Sequence, residues 1–137
     1  EIETNKYKKA IYADKTTVAR TSAVSRDKVR LKAEWKPNSF TIIYEGNGGT
    51  GNMPDQKVTY GVTTVLNGNK FVRNGYSFAG WTVYRESDKK WYTTSGWKTE
   101  QEIETNKYKK AIYADKTTVA RTSAVSGDKV RLKAVWE

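Results

Sequence analysis

Lys129-Val130-Arg131-Leu132-Lys133-Ala134-Val135-Trp136 places Val130, Leu132, Ala134 and Trp136 at alternate positions, with Arg131, Lys133 and Val135 between them. A period of two is the pattern of a strand with one face on a core and the other toward solvent. The reading puts Trp136 inward and Arg131 and Lys133 outward. The same run occurs earlier, as Lys28 to Trp35, with Glu34 in place of Val135. Followed outward, residues 1–36 and 102–137 align without a gap at an offset of 101 and differ only at Arg26/Gly127, Glu34/Val135 and Lys36/Glu137. So 33 of 36 positions agree. That offset is too long for a solenoid unit and suits a whole domain repeated in tandem. The expected division is therefore 1–36 as the C-terminal part of a preceding repeat and 38–137 as one complete unit. Pro37-Asn38 is the expected joint.

Within the complete unit, Phe40 to Glu45 is a strongly β-favouring run, closed by the loop Gly46 to Asn52. A short strand is expected at Lys57 to Tyr60, and a second short strand or an extended arm at Thr63 to Leu66. After the tight-turn pair Asn74-Gly75, Tyr76 to Tyr84 alternates. Tyr76, Phe78, Gly80, Thr82 and Tyr84 fall on one face, and Ala79, Trp81 and Val83 on the other, with Trp81 assigned to the core. Lys90 to Thr93 reads as a hairpin partner. Thr99-Glu100-Gln101-Glu102 fits a capping box, predicting a short helix over about 100–106. Strands over Lys109 to Tyr113, Thr117 to Arg121 and Lys129 to Trp136 complete a fold that is mostly β, or α+β.

The chain of 137 residues contains no Cys and no His. That excludes disulfides, Cys/His zinc sites, haem ligation by His, and Ser–His–Asp or Cys–His catalysis. No apolar run approaches the ~20 residues of a membrane span. The net charge of +10 divides as +5 over 1–36, +2 over 37–101 and +3 over 102–137, so the excess follows the duplicated segment. A basic balance favours acidic partners such as an anionic cell-wall polymer, a sulfated glycan or nucleic acid.

Few motifs carry chemistry. Gly46-Asn47-Gly48-Gly49-Thr50-Gly51 matches G-x-G-x-x-G, but another β-run follows where a dinucleotide site needs a helix, so it reads as a glycine-rich turn. Glu45 and Glu86 lie on or near strands, with nothing to mark them as a facing acid/base pair. The aromatics of Lys90-Trp91-Tyr92-Thr93-Thr94-Ser95-Gly96-Trp97 either cover a small core or contact a ligand. Trp91, Tyr92 and Trp97 are the candidate ligand-binding residues, because exposed rings stack on sugar faces. The basic and aromatic run Lys107 to Tyr113 fits base stacking and phosphate neutralisation. It equally fits an edge whose lysines discourage further pairing. No nucleic-acid-binding signature accompanies it, and no nucleic acid is expected as a partner.

The succession Phe40-Thr41-Ile42-Ile43-Tyr44, Asn47-Gly48-Gly49, Met53-Pro54-Asp55-Gln56, Val58-Thr59-Tyr60-Gly61, Asn74-Gly75-Tyr76-Ser77-Phe78-Ala79-Gly80-Trp81 and Leu132-Lys133-Ala134-Val135-Trp136 resembles the Listeria–Bacteroides repeat, which includes the B-repeat of internalins. Residues 82–129 are longer than that family's usual connection. The resemblance implies a small β-grasp-like domain, repeated in tandem in secreted or wall-attached bacterial proteins, to which the capping box adds one short helix. It implies a spacer or adhesion role without enzymatic activity, and neighbouring repeats as partners; the absence of His, Cys and any convergent acid pair predicts no tightly bound metal, and no cofactor is expected. The alternatives are a carbohydrate-binding module using the exposed aromatics against a host glycan and, behind it, a polyanion-binding domain.

Residues 1–36 pose a separate question. Alone they expose Val29, Leu31, Ala33 and Trp35, and a short amphipathic piece rarely folds unaided. Two arrangements satisfy them. In one they pair with 38–100 of their own chain, leaving 102–137 over. In the other they complete a neighbouring molecule by strand exchange, forming a dimer.

Overall fold

A computed structural model describes residues 7–137; residues 1–6 of the first copy lie outside the described residues. The chain divides into two units, Glu1–Trp35 and Lys36–Glu137.

The second unit holds all the regular structure among the described residues. Its elements are β1 (Ser39–Glu45), β2 (Gln56–Thr59), β3 (Thr64–Val65), β4 (Phe78–Arg85), β5 (Lys90–Thr93), β6 (Gly96–Thr99), α1 (Glu100–Asn106), β7 (Thr118–Val119) and β8 (Lys129–Trp136). One sheet runs β2-β1-β8-β4-β5-β6, and a two-stranded ribbon joins β3 to β7. The expected class, mostly β with one short helix, is what the unit shows. β8 lies between β1 and β4, parallel to the first and antiparallel to the second. Its alternation sends Val130, Leu132 and Ala134 into the core with Phe40, Ile42, Val58, Trp81 and Val83. Met53, Leu66, Phe71 and Val119, from loops and ribbon, complete the same core. The other face of β8 carries Arg131, which donates to Glu45 at 2.9 Å and to Glu86. The two glutamates thus flank one guanidinium and form an ion-pair cluster. The two carboxyl-bonded contacts push the Arg131 pKa up.

Trp81 is fully buried, whereas Trp136 is half-buried at the end of β8. Its indole donates to the Gly46 carbonyl at 2.9 Å, and a Cβ on Gly49 would stand 2.6 Å from its ring. The glycine-rich turn is therefore a seat for Trp136, followed by a bridge and β2 with no helix.

Strict alternation fails in β4. The register shifts between Phe78 and Gly80, where Phe78 opposes Trp136 and Gly80 opposes Val135. This bulge inserts one residue and changes parity. Phe78 accordingly packs on Trp81, ring centroids 4.8 Å apart, contrary to the expected opposite faces. Gly80 takes φ +142, and an added Cβ would lie 2.5 Å from the Ile112 side chain and the Tyr113 carbonyl.

The helix matches its capping box: Thr99 accepts from Glu102 N–H at 3.2 Å, and Glu102 accepts from Thr99 N–H at 2.9 Å. These bonds lower the Glu102 pKa. Two segments differ from expectation. Gly96–Thr99 is a strand, paired with β5 across the turn at Thr94 and Ser95. The run 109–113 forms no strand of its own. It lies against both β4 and β5, bonding to β5 through Tyr92, to the turn after β5 through Thr94 and to β4 through Trp81.

The first unit behaves differently. Residues 7–35 form neither helix nor strand, and all are exposed, Leu31 and Trp35 included. Their expected strand and hairpin are not present. Their turns, however, reproduce those of the second copy. Lys15 and Lys116 take φ 63 and 59, and Arg26 and Gly127 take 63 and 74. Val24 N–H reaches Ser22 Oγ at 3.1 Å, as Val125 N–H reaches Ser123 Oγ at 3.1 Å. Ser22 and Ser123 each donate to the following aspartate, Asp27 or Asp128, at 2.5 Å. Local hydroxyl and backbone bonding suffices for such turns. Strands require flanking partners, which β8 has in β1 and β4. A left-handed backbone costs a side-chain-bearing residue about 1 kcal/mol, so Gly127 suits its turn better than Arg26 does.

Candidate functional site

Trp91 and Tyr92 are consecutive in β5, so the pleat sends them to opposite faces. Trp91 pairs with Tyr84 across the β4–β5 ladder, their rings 4.9 Å apart. It is 9% exposed. Lys110 Nζ lies 3.7 Å above its ring and Lys133 Nζ 5.3 Å from it. These cation–π contacts lay two lysines of the basic run and the central strand over one indole. Lys110 also approaches Glu100 at 3.8 Å.

Tyr92 and Trp97 face the other way, directly paired in the β5–β6 hairpin with rings 5.2 Å apart. Thr93 holds that hairpin closed: its hydroxyl donates to the Gly96 carbonyl at 2.6 Å and accepts from Ser95 N–H at 3.1 Å. Tyr113, brought in by the wedge at 109–113, stacks edge-on to Tyr92 at 5.8 Å. Burial raises the Tyr113 pKa; the neighbouring Tyr92 adds to the rise, and a hydrogen bond with Thr122 opposes it. Together Tyr92, Trp97, Tyr113 and residues 118–122 line a shallow cavity of about 280 Å³. The Arg85 guanidinium covers Trp97 at 4.0 Å and donates to the Thr122 carbonyl at 2.9 Å. Arg85 is in turn held by Asp88 at 2.6 Å, and those bonds keep the Asp88 carboxyl below its usual range.

The three candidates thus separate into a groove pair, Tyr92 with Trp97, and a capped Trp91 on the opposite face. Tyr113, Arg85 and 118–122 are groove residues that sequence reading missed. Tyr113 belongs to a run noted for its basic and aromatic character, but nothing local connects it to Tyr92. The groove offers flat apolar rings beside backbone carbonyls and one guanidinium, a surface suited to stacking a ring and hydrogen-bonding its substituents. Among the described residues, no group of three or more Asp or Glu side chains is arranged to hold a metal ion. No helix among them is long and apolar enough to cross a membrane.

The family model described as the Listeria-Bacteroides repeat domain matches residues 40–103. The match runs from β1 through the β5–β6 hairpin into α1, covering residues 82–103 of the segment 82–129 that the sequence blocks left uncovered and stopping short of the closing block at residues 132–136. No curated protein and no solved structure matches the chain.

Proposed function

Since residues 40–103 belong to the Listeria-Bacteroides repeat family, we propose that the chain is a non-catalytic stretch of a tandem-repeat protein of the bacterial cell surface. In this reading residues 1–36 end one repeat and 38–137 form the next, and the repeats act as a spacer that presents other domains. The observation that carries it is the parallel pairing of β1 with β8. Parallel neighbours start at the same end of a sheet, so the unit begins at one end and finishes at the other. A strand of eight residues advances the chain by ~26 Å. Joined units therefore add length, as a spacer requires. The family match supports an extracellular setting and neighbouring repeats as partners. The positive charge supports a weak attraction to anionic wall polymers, screened by salt.

Small-angle scattering on chains carrying one, two and three complete units tests the spacer. The maximum dimension is expected to rise linearly, by about 25–35 Å per unit given that strand length. Growth with the cube root of chain length would indicate a compact cluster and end the spacer reading.

A second reading, glycan adhesion, draws on the groove of Tyr92, Trp97 and Tyr113. On a glycan array, binding that disappears in Trp97→Ala and persists in Trp35→Ala would establish it. Absence of binding by the unaltered chain, or equal loss in both variants, would remove it.

A further inference from the structure

The six-stranded sheet buries its core on one face. On the other face, pleat and register gather cations around one indole. Trp91 lies directly opposite Lys98 in the β5–β6 hairpin, so both side chains leave the same face. Lys133 reaches over the Trp91 ring from β8, two strands away, and Lys110 reaches it from the segment beside β5. Lys98 is itself held over the Tyr108 ring, with Nζ 5.0 Å from its centroid. The indole is 9% exposed, yet the side chains of Lys133 and Lys110 keep 40% and 32% exposure. Each lysine thus lies along the ring and stays open to solvent.

Nearby carboxylates leave these charges available. Glu45 and Glu86 both engage Arg131. Glu45 approaches Lys133 only to 3.9 Å, and Glu100 approaches Lys110 only to 3.8 Å. Both separations exceed the length of an N–H···O bond, about 2.7–3.2 Å. The ammonium groups therefore have donors to offer a further acceptor. An ammonium is a compact point charge with three donors, which suits a phosphate group. The cation–π contacts hold the lysines in place, so an anion has less side-chain freedom to remove on binding. Trp91 beneath them has too little open surface for a sugar ring to stack on, and recognition here runs through charge. From Lys98 in β6 to Lys133 in β8 the site crosses three strand spacings, roughly 14 Å. A polymer with repeated charges covers that span, whereas a single phosphate ion does not.

We propose that Lys98, Lys110 and Lys133, arranged around Trp91, form a docking site for a flexible phosphodiester polymer of the poly(glycerol phosphate) type. The choice of polymer rests on the proposed bacterial cell-surface setting. It gives the diffuse attraction of that reading a defined face, opposite the groove of Tyr92 and Trp97.

The duplication supplies a charge-matched control. At the offset of 101, Lys110 and Lys133 correspond to Lys9 and Lys32 in nearly identical local sequence, while Trp91 and Lys98 lie outside the duplicated segment. The test titrates the full chain calorimetrically at low salt with poly(glycerol phosphate) of about ten units. Lys110→Gln/Lys133→Gln is expected to weaken binding about tenfold or more and to flatten its salt dependence. Lys9→Gln/Lys32→Gln, with the same loss of charge, is expected to weaken it about twofold or less. Lys98→Gln alone should weaken binding several-fold, and Lys110→Arg/Lys133→Arg should bind as the unaltered chain does. Equal losses in the two glutamine pairs would overturn the site and leave the diffuse attraction standing. Absence of binding by the unaltered chain would overturn both. Tighter binding to a sulfated glycan than to the phosphodiester polymer would overturn the proposal, as would equal competition by inorganic phosphate at the same phosphate concentration.

Discussion

Trp81→Ala is expected to lower the melting temperature of the complete unit by about 15–30 °C. The side chain is fully buried in β4. It contacts Tyr44 at 5.2 Å, Phe71 at 6.1 Å and Phe78 at 4.8 Å between ring centroids, so strands and a loop converge on it. Its backbone is held too, exchanging hydrogen bonds of 2.9 and 2.8 Å with Tyr113. Truncating a buried Trp costs about 3–5 kcal/mol through lost burial and the cavity left behind. A unit of this size has about 5–15 kcal/mol in total. Each kcal/mol shifts melting by ~4–8 °C in a domain of 60–100 residues. Trp81→Phe should recover more than half of the loss, since it keeps an aromatic ring and removes an indole N–H that has no partner among the described residues. Trp35→Ala, at a position 90% exposed, should leave melting unchanged. Scanning calorimetry of the three variants decides the matter: if Trp81→Ala melts within about 3 °C of the parent, Trp81 is not the centre of this core.

The placement of Trp81 was legible before the fold was known, and so was most of what surrounds it. The alternation of Val130, Leu132 and Ala134 set the register of β8, and Thr99 with Glu102 located α1. These signals are local: side-chain period and cap chemistry belong to a few consecutive residues. What escaped was non-local or depended on a parity change. The bulge at Gly80 moved Phe78 to the Trp81 side, and alternation cannot register an inserted residue. β6 was hidden because its turn, Thr94-Ser95, lacks the Asn-Gly signal of tight hairpins. The wedge at 109–113 has strand-like composition, but its hydrogen bonds are divided between β4 and β5. The division of Trp91 from Tyr92 is a different case. The pleat alone dictates it, and grouping the aromatics by proximity in sequence overlooked that rule. The partnership of Tyr92 with Tyr113 depends on chain closure over some twenty residues and has no local sign.

Asp128→Ala is expected to destabilise the unit by about 3 kcal/mol or more, while Asp27→Ala, the same substitution in a nearly identical local sequence, changes its stability by less than about 0.5 kcal/mol. Asp128 is 5% exposed. One of its carboxylate oxygens accepts from Ser87 N–H at 3.0 Å and Lys129 N–H at 2.7 Å; the other accepts from the hydroxyls of Ser87 at 2.7 Å and Ser123 at 2.5 Å. The residue thereby ties the turn after β4 to the start of β8, and its own carbonyl accepts from Thr41 in β1 at 2.9 Å. Removing the carboxylate leaves several donors without an acceptor in a largely dehydrated site, where hydrogen bonds to a charged group each contribute about 1.5–3 kcal/mol. Asp27 keeps the serine bond of the same motif, at 2.5 Å, but in an exposed setting where water replaces a lost acceptor. Asp128→Asn should fall between the two extremes, because its amide carbonyl retains part of the acceptor capacity. Urea titrations of the three variants, followed by tryptophan fluorescence, measure these differences. If Asp27→Ala and Asp128→Ala proved equally mild, the carboxylate network would be a feature of the turn alone and β8 would be anchored by packing without it. The predicted contrast instead makes the aspartate a turn-former in one copy and a structural tie in the other, with the neighbouring strands deciding which.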